Sequence, residues 1–318
     1  MKNMLSTPDF YGLPCLQKLT LHKCKELQEV HPSLGCHKSL EYVRVLYCYK
    51  LRKFPTIVQM GKLKTLTIQY CNDSLEFPEI KSNMESLVRL SLRDMRIDVL
   101  LSSIGERCVN LVSLDLANCS SLKSTEVDFD GLKYLEAFTL NGLTHSKTRD
   151  KLFISWLVGK VGCGKDWYRS QPSISLWLTR SLTKLYISDC GLRDGEIPSN
   201  IGELYSLQEL HLGWNDFTQL DISLLQLTQL KLLILDVCKH LVKLPELPAG
   251  IYILYADNCH SLKAIGDFHK KCKRLCRVSL INGCIIIDGD RLLESMLQVC
   301  ISVCVCFNMK RKPYGVEL

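Results

Sequence analysis

LQKLTLHKC, the stretch at residues 16–24, carries leucine at its first, fourth and sixth positions and cysteine at its ninth. The same pattern, with cysteine, asparagine or another residue in the ninth place, begins again at Leu40, Leu63, Leu87, Leu111, Leu135, Leu182, Leu207, Leu230 and Ile251. Successive copies start 21 to 25 residues apart, except for 47 residues between Leu135 and Leu182. A period of this length with this leucine pattern is typical of leucine-rich repeats.

The spacing of the leucines has a mechanical cause. The last two leucines of a copy are two residues apart, so they share one face of a short strand. One copy cannot bury its leucines alone, whereas stacked copies bury them in a continuous core. Phe-Pro and Leu-Pro pairs at residues 54–55, 77–78 and 244–245 interrupt regular pairing in the second halves of the copies. We therefore predict an α/β solenoid, a leucine-rich-repeat horseshoe with a parallel concave β-sheet and an irregular or 3₁₀ convex side.

The composition is that of a folded protein, with 47% hydrophobic and 23% charged residues among 318. The net charge of +7 is unevenly placed, because residues 263–318 hold ten Lys/Arg and five Asp/Glu, a net of +5, which leaves +2 for residues 1–262. The opening residues MKNMLSTPDF lack the apolar segment of a secretory signal. The apolar stretch at residues 299–307 is too short to span a bilayer.

The regularity of the pattern divides the chain into five predicted segments. Residues 1–15 look like the trailing half of a truncated leading repeat, and residues 16–143 hold regular repeats. Residues 144–181 break the pattern and form either an irregular insertion or a degenerate repeat, before regular repeats resume over residues 182–265. We interpret residues 266–318 as a basic, partly apolar tail that forms an incomplete domain after the repeats.

Seventeen cysteines suggest a disulfide framework at first sight. The odd number and the absence of an export signal favour reduced thiols in an intracellular compartment instead. Seven of them occupy the ninth place of the repeat, where a small, readily buried side chain with a weak donor is suitable: Cys24, Cys48, Cys71, Cys119, Cys190, Cys238 and Cys259. We predict no bound metal, because no standard zinc spacing is formed by His269, Cys272, Cys276, Cys300, Cys304 and Cys306.

Several phrases go beyond the general repeat pattern. They are TPDFYGLP at residues 7–14, EVHPSLG at 29–35, FPEI at 77–80, SLTKLYISDC at 181–190, LPELP at 244–248 and ADNCHSL at 256–262. In their order and spacing they resemble the repeat region of plant TIR-NB-LRR disease resistance proteins, over about residues 5–265. SLINGC at residues 279–284 resembles the start of the jelly-roll domain that follows the repeats in that family.

The resemblance implies the effector-sensing and autoinhibitory recognition module of an intracellular plant immune receptor that acts in the defence response. The chain lacks the TIR and nucleotide-binding domains of the family, which implies a fragment or a truncated paralogue. The implied partners are a pathogen effector or a guarded host protein and, in a full-length receptor, its own nucleotide-binding domain. The implied location is the cytoplasm or the nucleus. The alternative is an ectodomain-like repeat protein of a plant cell-surface receptor, since GEIPSNIG at residues 195–202 resembles the repeats of such receptors.

The outward-facing strand positions change from basic near the N-terminus to apolar and aromatic near the C-terminus. We predict that a protein partner contacts Tyr186, His211, Leu232, Ile234, Ile253 and Tyr255, together with Arg44, Arg89 and Arg93. Exposed apolar side chains on adjacent strands are typical of a contact site. The other interpretation of the apolar group is that the tail packs against it. The basic group would suit an acidic partner or domain.

We predict neither an enzyme nor a cofactor. GKVGCGKD at residues 159–166 comes close to the phosphate-binding pattern G-x-x-x-x-G-K-[ST], but Asp166 stands where Ser or Thr would contact magnesium, and its charge would repel phosphate. The sequence contains no Ser/His/Asp or paired-carboxylate grouping that would support hydrolysis. The basic tail has no interleaved aromatic residues for base stacking, so we predict no specific nucleic acid partner.

Overall fold

The structure, a computed structural model, describes residues 4–71, 75, 77–122, 124–125, 127–143, 180–197, 199–220, 222–263, 272–282 and 302–304. Within these residues the chain winds into stacked coils, and each coil contributes one short strand to a common parallel sheet. The predicted leucine-rich-repeat solenoid is thereby confirmed.

The strands follow one another at the spacing of the sequence repeat. They are β1 (Lys18–His22), β2 (Tyr42–Leu46), β3 (Thr65–Gln69), β4 (Arg89–Ser91), β5 (Val99–Leu100), β6 (Ser113–Asp115), β7 (Ser124–Thr125), β8 (Ala137–Thr139), β9 (Lys184–Tyr186), β10 (Glu209–His211), β11 (Leu232–Ile234), β12 (Ile253–Tyr255), β13 (Arg277–Ser279) and β14 (Ser302–Cys304). In the described part of the chain, twelve strands form one sheet in chain order, and β5 pairs separately with β7.

Neighbouring strands pair with equivalent repeat positions opposite each other. Leu66 of β3 lies opposite Leu90 of β4, and Leu90 lies opposite Leu114 of β6. Leu114 in turn lies opposite Phe138 of β8, and all four side chains are at most 1% exposed. The inward-facing side chains therefore stack in one column, which is the continuous core that no single coil could build alone.

The ninth place of the repeat lies inside the solenoid, where the chain turns away from the strand. Cys119 shows the usual arrangement, because its Sγ donates to the backbone oxygen of Leu92 in the preceding coil at 2.9 Å. Asn215 is the single asparagine among the ten copies of the pattern and makes four hydrogen bonds there. These buried polar contacts join each coil to the coil before it.

A residue with left-handed backbone conformation stands directly before the ninth place in eleven coils: Lys23, Tyr47, Tyr70, Asp94, Asn118, Gly142, Asp189, Trp214, Val237, Asn258 and Asn282. Their φ angles are positive, which turns the chain sharply after each strand. Gly, Asn and Asp adopt this conformation with the least steric cost. Six of the eleven residues are of these types, and five are not.

The convex side is built from short and irregular elements. Among the residues that the structure describes, it carries 3₁₀ helices at Pro32–Cys36, Phe129–Gly131, Ser199–Glu203 and Leu224–Gln226, and one α-helix, α1, at Ser103–Arg107. The coils approach closely here, since a Cβ atom on Gly35 would collide with the backbone oxygen of Thr56. In the described residues, no helix combines the length and the apolar character needed to cross a membrane.

Two places of the sheet bear on the predicted segments. Strand β8, which ends at Thr139, pairs directly with β9, which begins at Lys184. Strand β13 pairs with β12 and extends the sheet past residue 265, where we expected the repeats to end. Leu275, Val278 and Leu280 are buried at the repeat spacing in this coil, but the ninth place holds Gly283, so the pattern is hard to see in the sequence. Most of residues 144–181 and 266–318 lie outside the described part.

Candidate functional site

The predicted apolar residues form one patch, which we call the C-terminal concave surface: Tyr186, His211, Leu232, Ile234, Ile253 and Tyr255. Register pairing places Tyr186, His211, Ile234 and Tyr255 in one row across β9 to β12, with Leu232 and Ile253 opposite each other in the next row. All six side chains are half-buried, because each is flanked by side chains of the neighbouring strands. Residues 272–282 lie beside this patch as the next coil.

A hydrogen-bonded cluster borders the patch at β9 and β10. The Tyr186 hydroxyl donates to Glu209 Oε2 at 2.8 Å, and Lys184 Nζ donates to Glu209 Oε1 at 2.8 Å. Burial would raise the pKa of Glu209, but the bonds from Lys184 and Tyr186 outweigh it and hold this pKa below its usual value. Burial and the bond to Glu209 raise the pKa of Tyr186 to about 12, so the phenol stays protonated at neutral pH.

His211 lies inside the patch without a partner for its Nε2 atom, which is buried. Its ring packs edge-on against Tyr186, with ring centroids 4.2 Å apart. Burial lowers the pKa of His211, so the imidazole is neutral at pH 7. The patch therefore combines an apolar centre with one neutral, unsatisfied hydrogen-bonding atom.

Charged groups line the far edge of the patch. The guanidinium of Arg277 in β13 donates to the Tyr255 hydroxyl at 3.1 Å. Asp257 accepts from the Ser279 hydroxyl and from the backbone N–H of Ile281, both at 2.7 Å. Burial raises the pKa of Asp236, which accepts from the backbone N–H of Asp257 at 2.8 Å. An apolar centre inside a polar rim is the usual composition of a protein interface.

The three predicted arginines do not form a second patch of this kind. Arg44 lies on β2 and Arg89 on β4, and register pairing puts them in different rows with β3 between them. Arg93 is occupied within the protein, because its Nε donates to Asp115 Oδ2 at 2.7 Å. Asp115 also accepts from Ser91, so Arg93 belongs to a polar network of the sheet.

Sequence reasoning missed the aromatic residues at the left-handed positions. Trp214 follows β10 at the end of the C-terminal concave surface and is 58% exposed. Tyr47 and Tyr70 hold the same place after β2 and β3. The available signal was their position directly before the ninth place of the repeat, where Asn, Asp or Gly is favoured.

Metal and nucleotide chemistry find no support in the described residues. No group of three His, Cys, Asp or Glu side chains in this part of the chain could hold a metal ion. The thiols of Cys272 and Cys276 donate to backbone oxygens of the preceding coil. His269, Cys300, Cys306 and the phosphate-loop-like segment at residues 159–166 lie outside the described residues, and of Cys304 only the backbone is described.

Comparison with known proteins bears on this architecture directly. The family model described as Leucine Rich Repeat matches residues 181–204. The chain therefore has the leucine-rich repeat fold. Among solved structures, it resembles the leucine-rich repeat domain of the type III effector XopL, with a TM-score of 0.50, 22% identity, and coverage of 79% of this chain and 73% of that one. A chain from the octameric complex of Latrophilin 3, Unc5D and FLRT2 matches with a TM-score of 0.55 and 15% identity, covering 96% of this chain and 87% of that one.

Curated relatives of this chain are plant disease resistance proteins. The TMV resistance protein N of Nicotiana glutinosa is 33% identical over 311 residues, which cover 88% of this chain and 27% of that protein. The disease resistance-like protein DSC1 of Arabidopsis thaliana is 29% identical over 79% of this chain and 22% of its own length. The predicted resemblance to TIR-NB-LRR proteins is confirmed, and the chain spans about a quarter of the length of these relatives.

Proposed function

We propose that this chain is the protein-recognition repeat module of an intracellular plant immune receptor and acts in the defence response. Similarity to the TMV resistance protein N over 88% of the chain supports this role. The solenoid offers an extended concave sheet, a form suited to binding protein surfaces rather than to catalysis. The module senses its partner without enzymatic activity and, within a longer receptor, contributes to autoinhibition.

The observation that carries the proposal is the C-terminal concave surface. Its aromatic and apolar side chains are aligned in two rows on four consecutive strands, with the Lys184–Glu209 ion pair on one side and Arg277 on the other. Interface energy usually concentrates in a few such anchors enclosed by a polar rim.

The proposed partner is a pathogen effector or a guarded host protein, and in a complete receptor also the nucleotide-binding domain of the same chain. The proposed location is the cytoplasm or the nucleus. The seven ninth-place cysteines support it, because their thiols donate to backbone oxygens, five of them from buried positions, and such contacts require the reduced form.

The test is the double substitution Ile234→Glu and Tyr255→Ala in the complete receptor that carries these repeats. Effector binding is measured by co-precipitation, and the immune response is measured in leaves. Truncating one anchor typically costs about 2 kcal/mol or more, so we expect binding and response to be lost. Val242→Glu is the matched control, since Val242 is exposed and lies away from the concave strands.

Unchanged binding and response in a folded double variant would refute the proposed surface. If the double variant fails to fold, Tyr186→Phe replaces it, because this change removes only the hydroxyl that bonds Glu209. We expect a smaller loss of binding from Tyr186→Phe, and an unchanged affinity there would count against the surface.

A further inference from the structure

In three consecutive coils near the N-terminus, the left-handed position holds a residue for which a positive φ angle is energetically unfavourable. Lys23, Tyr47 and Tyr70 have φ angles of 54°, 57° and 53°. Bulky side chains are uncommon at positive φ, and Asn, Asp or Gly occupies the equivalent place in six other coils. Strain that a simple substitution would relieve is frequent at functional sites.

Aromatic rings at and beside these left-handed positions lie together where strands β1 to β3 end. The rings of Tyr47 and Tyr70 stack with centroids 4.7 Å apart and planes 4° apart. His22 and Tyr49 contact Tyr47 edge-on, at 5.7 Å and 6.3 Å. We call these four residues the tyrosine edge. Since the rings hold one another in place, a partner would meet a surface that is already ordered.

The tyrosine edge is open to solvent in the structure. Tyr49 is 58% exposed, His22 is exposed, and Tyr47 and Tyr70 are half-buried. Tyrosine combines a large rigid contact area with a hydroxyl and loses little conformational entropy on binding. An exposed group of such residues is typical of a contact surface.

Positive charge lies on the two strands that lead to the tyrosine edge and directly after the first of them. Lys23 Nζ lies 5.9 Å from the Tyr47 ring centroid, and Lys18 Nζ lies 5.3 Å from that of Tyr42. Arg44 projects from β2 and is exposed. The nearby acids Glu26 and Glu41 are paired with Lys50 and Lys64. Asp94 is the acidic boundary, and its charge raises the pKa of Tyr70.

From this geometry we propose that the tyrosine edge, with Lys18, Lys23 and Arg44, binds an acidic segment of a partner polypeptide. Carboxylates of such a segment would accept from the tyrosine hydroxyls and the cations. This second surface lies on β1 to β3, whereas the C-terminal concave surface lies on β9 to β12. An experiment that refutes one of the two proposed surfaces therefore leaves the other untouched.

Single-stranded nucleic acid also binds to aromatic and basic surfaces, but it requires free ring faces for base stacking. Tyr47 has Tyr70 stacked against one face and Lys23 over its ring, so its faces are not free for base stacking. The observations therefore favour an acidic polypeptide.

The experiment measures binding of a fluorescein-labelled peptide of glutamate and leucine to the full chain by fluorescence anisotropy. Tyr47→Asn and Tyr70→Asn are the test variants, because Asn suits the left-handed backbone and should preserve or raise the melting temperature. We expect each variant to weaken binding about tenfold or more. Trp214→Asn is the matched control, since it makes the same kind of change at the same repeat position far from the edge, and should leave binding unchanged.

A second variant, Tyr49→Ser, tests the exposed ring outside the left-handed position and should also weaken binding. Arg44→Glu should weaken binding through its charge. The proposal is overturned if the chain does not bind the peptide, or if Tyr47→Asn, Tyr70→Asn and Tyr49→Ser all bind it as the unchanged chain does. It is also overturned if an oligo(dT) strand binds more tightly than the peptide and loses affinity in the same variants.

Discussion

The ninth place of the repeat holds Asn215 in one coil and cysteine in seven others, and the two side chains bond the surrounding backbone differently. The Asn215 amide donates to Ile187 O at 3.0 Å and Leu212 O at 2.8 Å, while its Oδ1 accepts from the N–H groups of Cys190 and Leu192, both at 3.1 Å. Cys119 donates to Leu92 O at 2.9 Å and Ala117 O at 4.0 Å, and its sulfur also accepts from the backbone of Met95. The thiol thus reproduces both halves of the amide with a weaker donor and a weaker acceptor.

The difference shows how much polar bonding a coil needs in order to stack. Both Asn215 and Cys119 are at most 1% exposed, so both places are sealed from water. Cysteine succeeds in most coils because burial of the leucine column supplies the stability, while a single weak donor ties the turn to the preceding coil. In the coil of Asn215, one side chain forms hydrogen bonds with four backbone groups.

Asn215→Ala should produce the largest effect. Four backbone groups would lose the hydrogen bond to Asn215, and only Leu212 O would keep a second bond, from the Cys238 thiol. We expect a loss of about 3 kcal/mol or more in the free energy of unfolding. Urea unfolding followed by circular dichroism measures it. Asn110→Ala is the control, because it removes one exposed hydrogen bond to Glu85 O. Equal losses in both variants would contradict the special dependence on Asn215.

Asn215→Cys tests directly whether a thiol can stand in for the amide. A donor to Ile187 O would be kept, but the N–H groups of Cys190 and Leu192 would exchange an amide oxygen for the much weaker sulfur acceptor. We expect a loss of about 2 kcal/mol, smaller than that of Asn215→Ala in the same urea experiment. If Cys and Ala are equivalent at this place, the thiol contributes nothing as a donor and the comparison fails.

Cys119→Ala should cost less than either change at Asn215. It removes a buried sulfur atom and one weak hydrogen bond, for an expected loss of about 1 kcal/mol. Cys15→Ala, at an exposed position, should leave the unfolding midpoint unchanged. A loss at Cys119 as large as that of Asn215→Ala would show that the thiol matters as much as the amide.

The last effect is absent at neutral pH and should appear only at alkaline pH. Burial raises the pKa of Cys119 and Cys238 from 9.0 to about 12, so the folded state holds these protons more tightly than the unfolded chain. Their contribution is fully present below pH 9 and should be lost gradually as the pH rises from 9 to 12. Unfolding midpoints measured across this range should fall, and the fall should be shallower in Cys119→Ala. A midpoint independent of pH would contradict the burial of these thiols.

Much of the fold could be predicted from the sequence, because each repeat is a short pattern and each stacked copy adds its leucines to one shared core. Leu66, Leu90 and Leu114 stand at equivalent positions of their copies, and stacking brings equivalent positions together. The coil of Val278 was missed because its ninth place departs from the pattern, although its leucines keep their spacing.

The candidate site could be predicted only in part. That Tyr186, His211 and Ile234 are neighbours follows from strand position alone, since parallel strands in register align the same place of each repeat. That Arg93 pairs with Asp115, and that His211 Nε2 lacks a partner, depends on side-chain rotamers that no repeat pattern specifies. Whether these surfaces bind protein partners stays a prediction.

The sequence by itself determined the solenoid, its parallel sheet and the inward column of leucines, because a repeat of fixed period has one economical way to bury its apolar residues. Only the tertiary structure decided which outward side chains meet. The stacked rings of Tyr47 and Tyr70 lie 23 residues apart in the chain and come together because the coils stack at the close spacing of neighbouring β-strands. Their left-handed backbone then turns both rings toward the same edge, which is a property of three-dimensional packing.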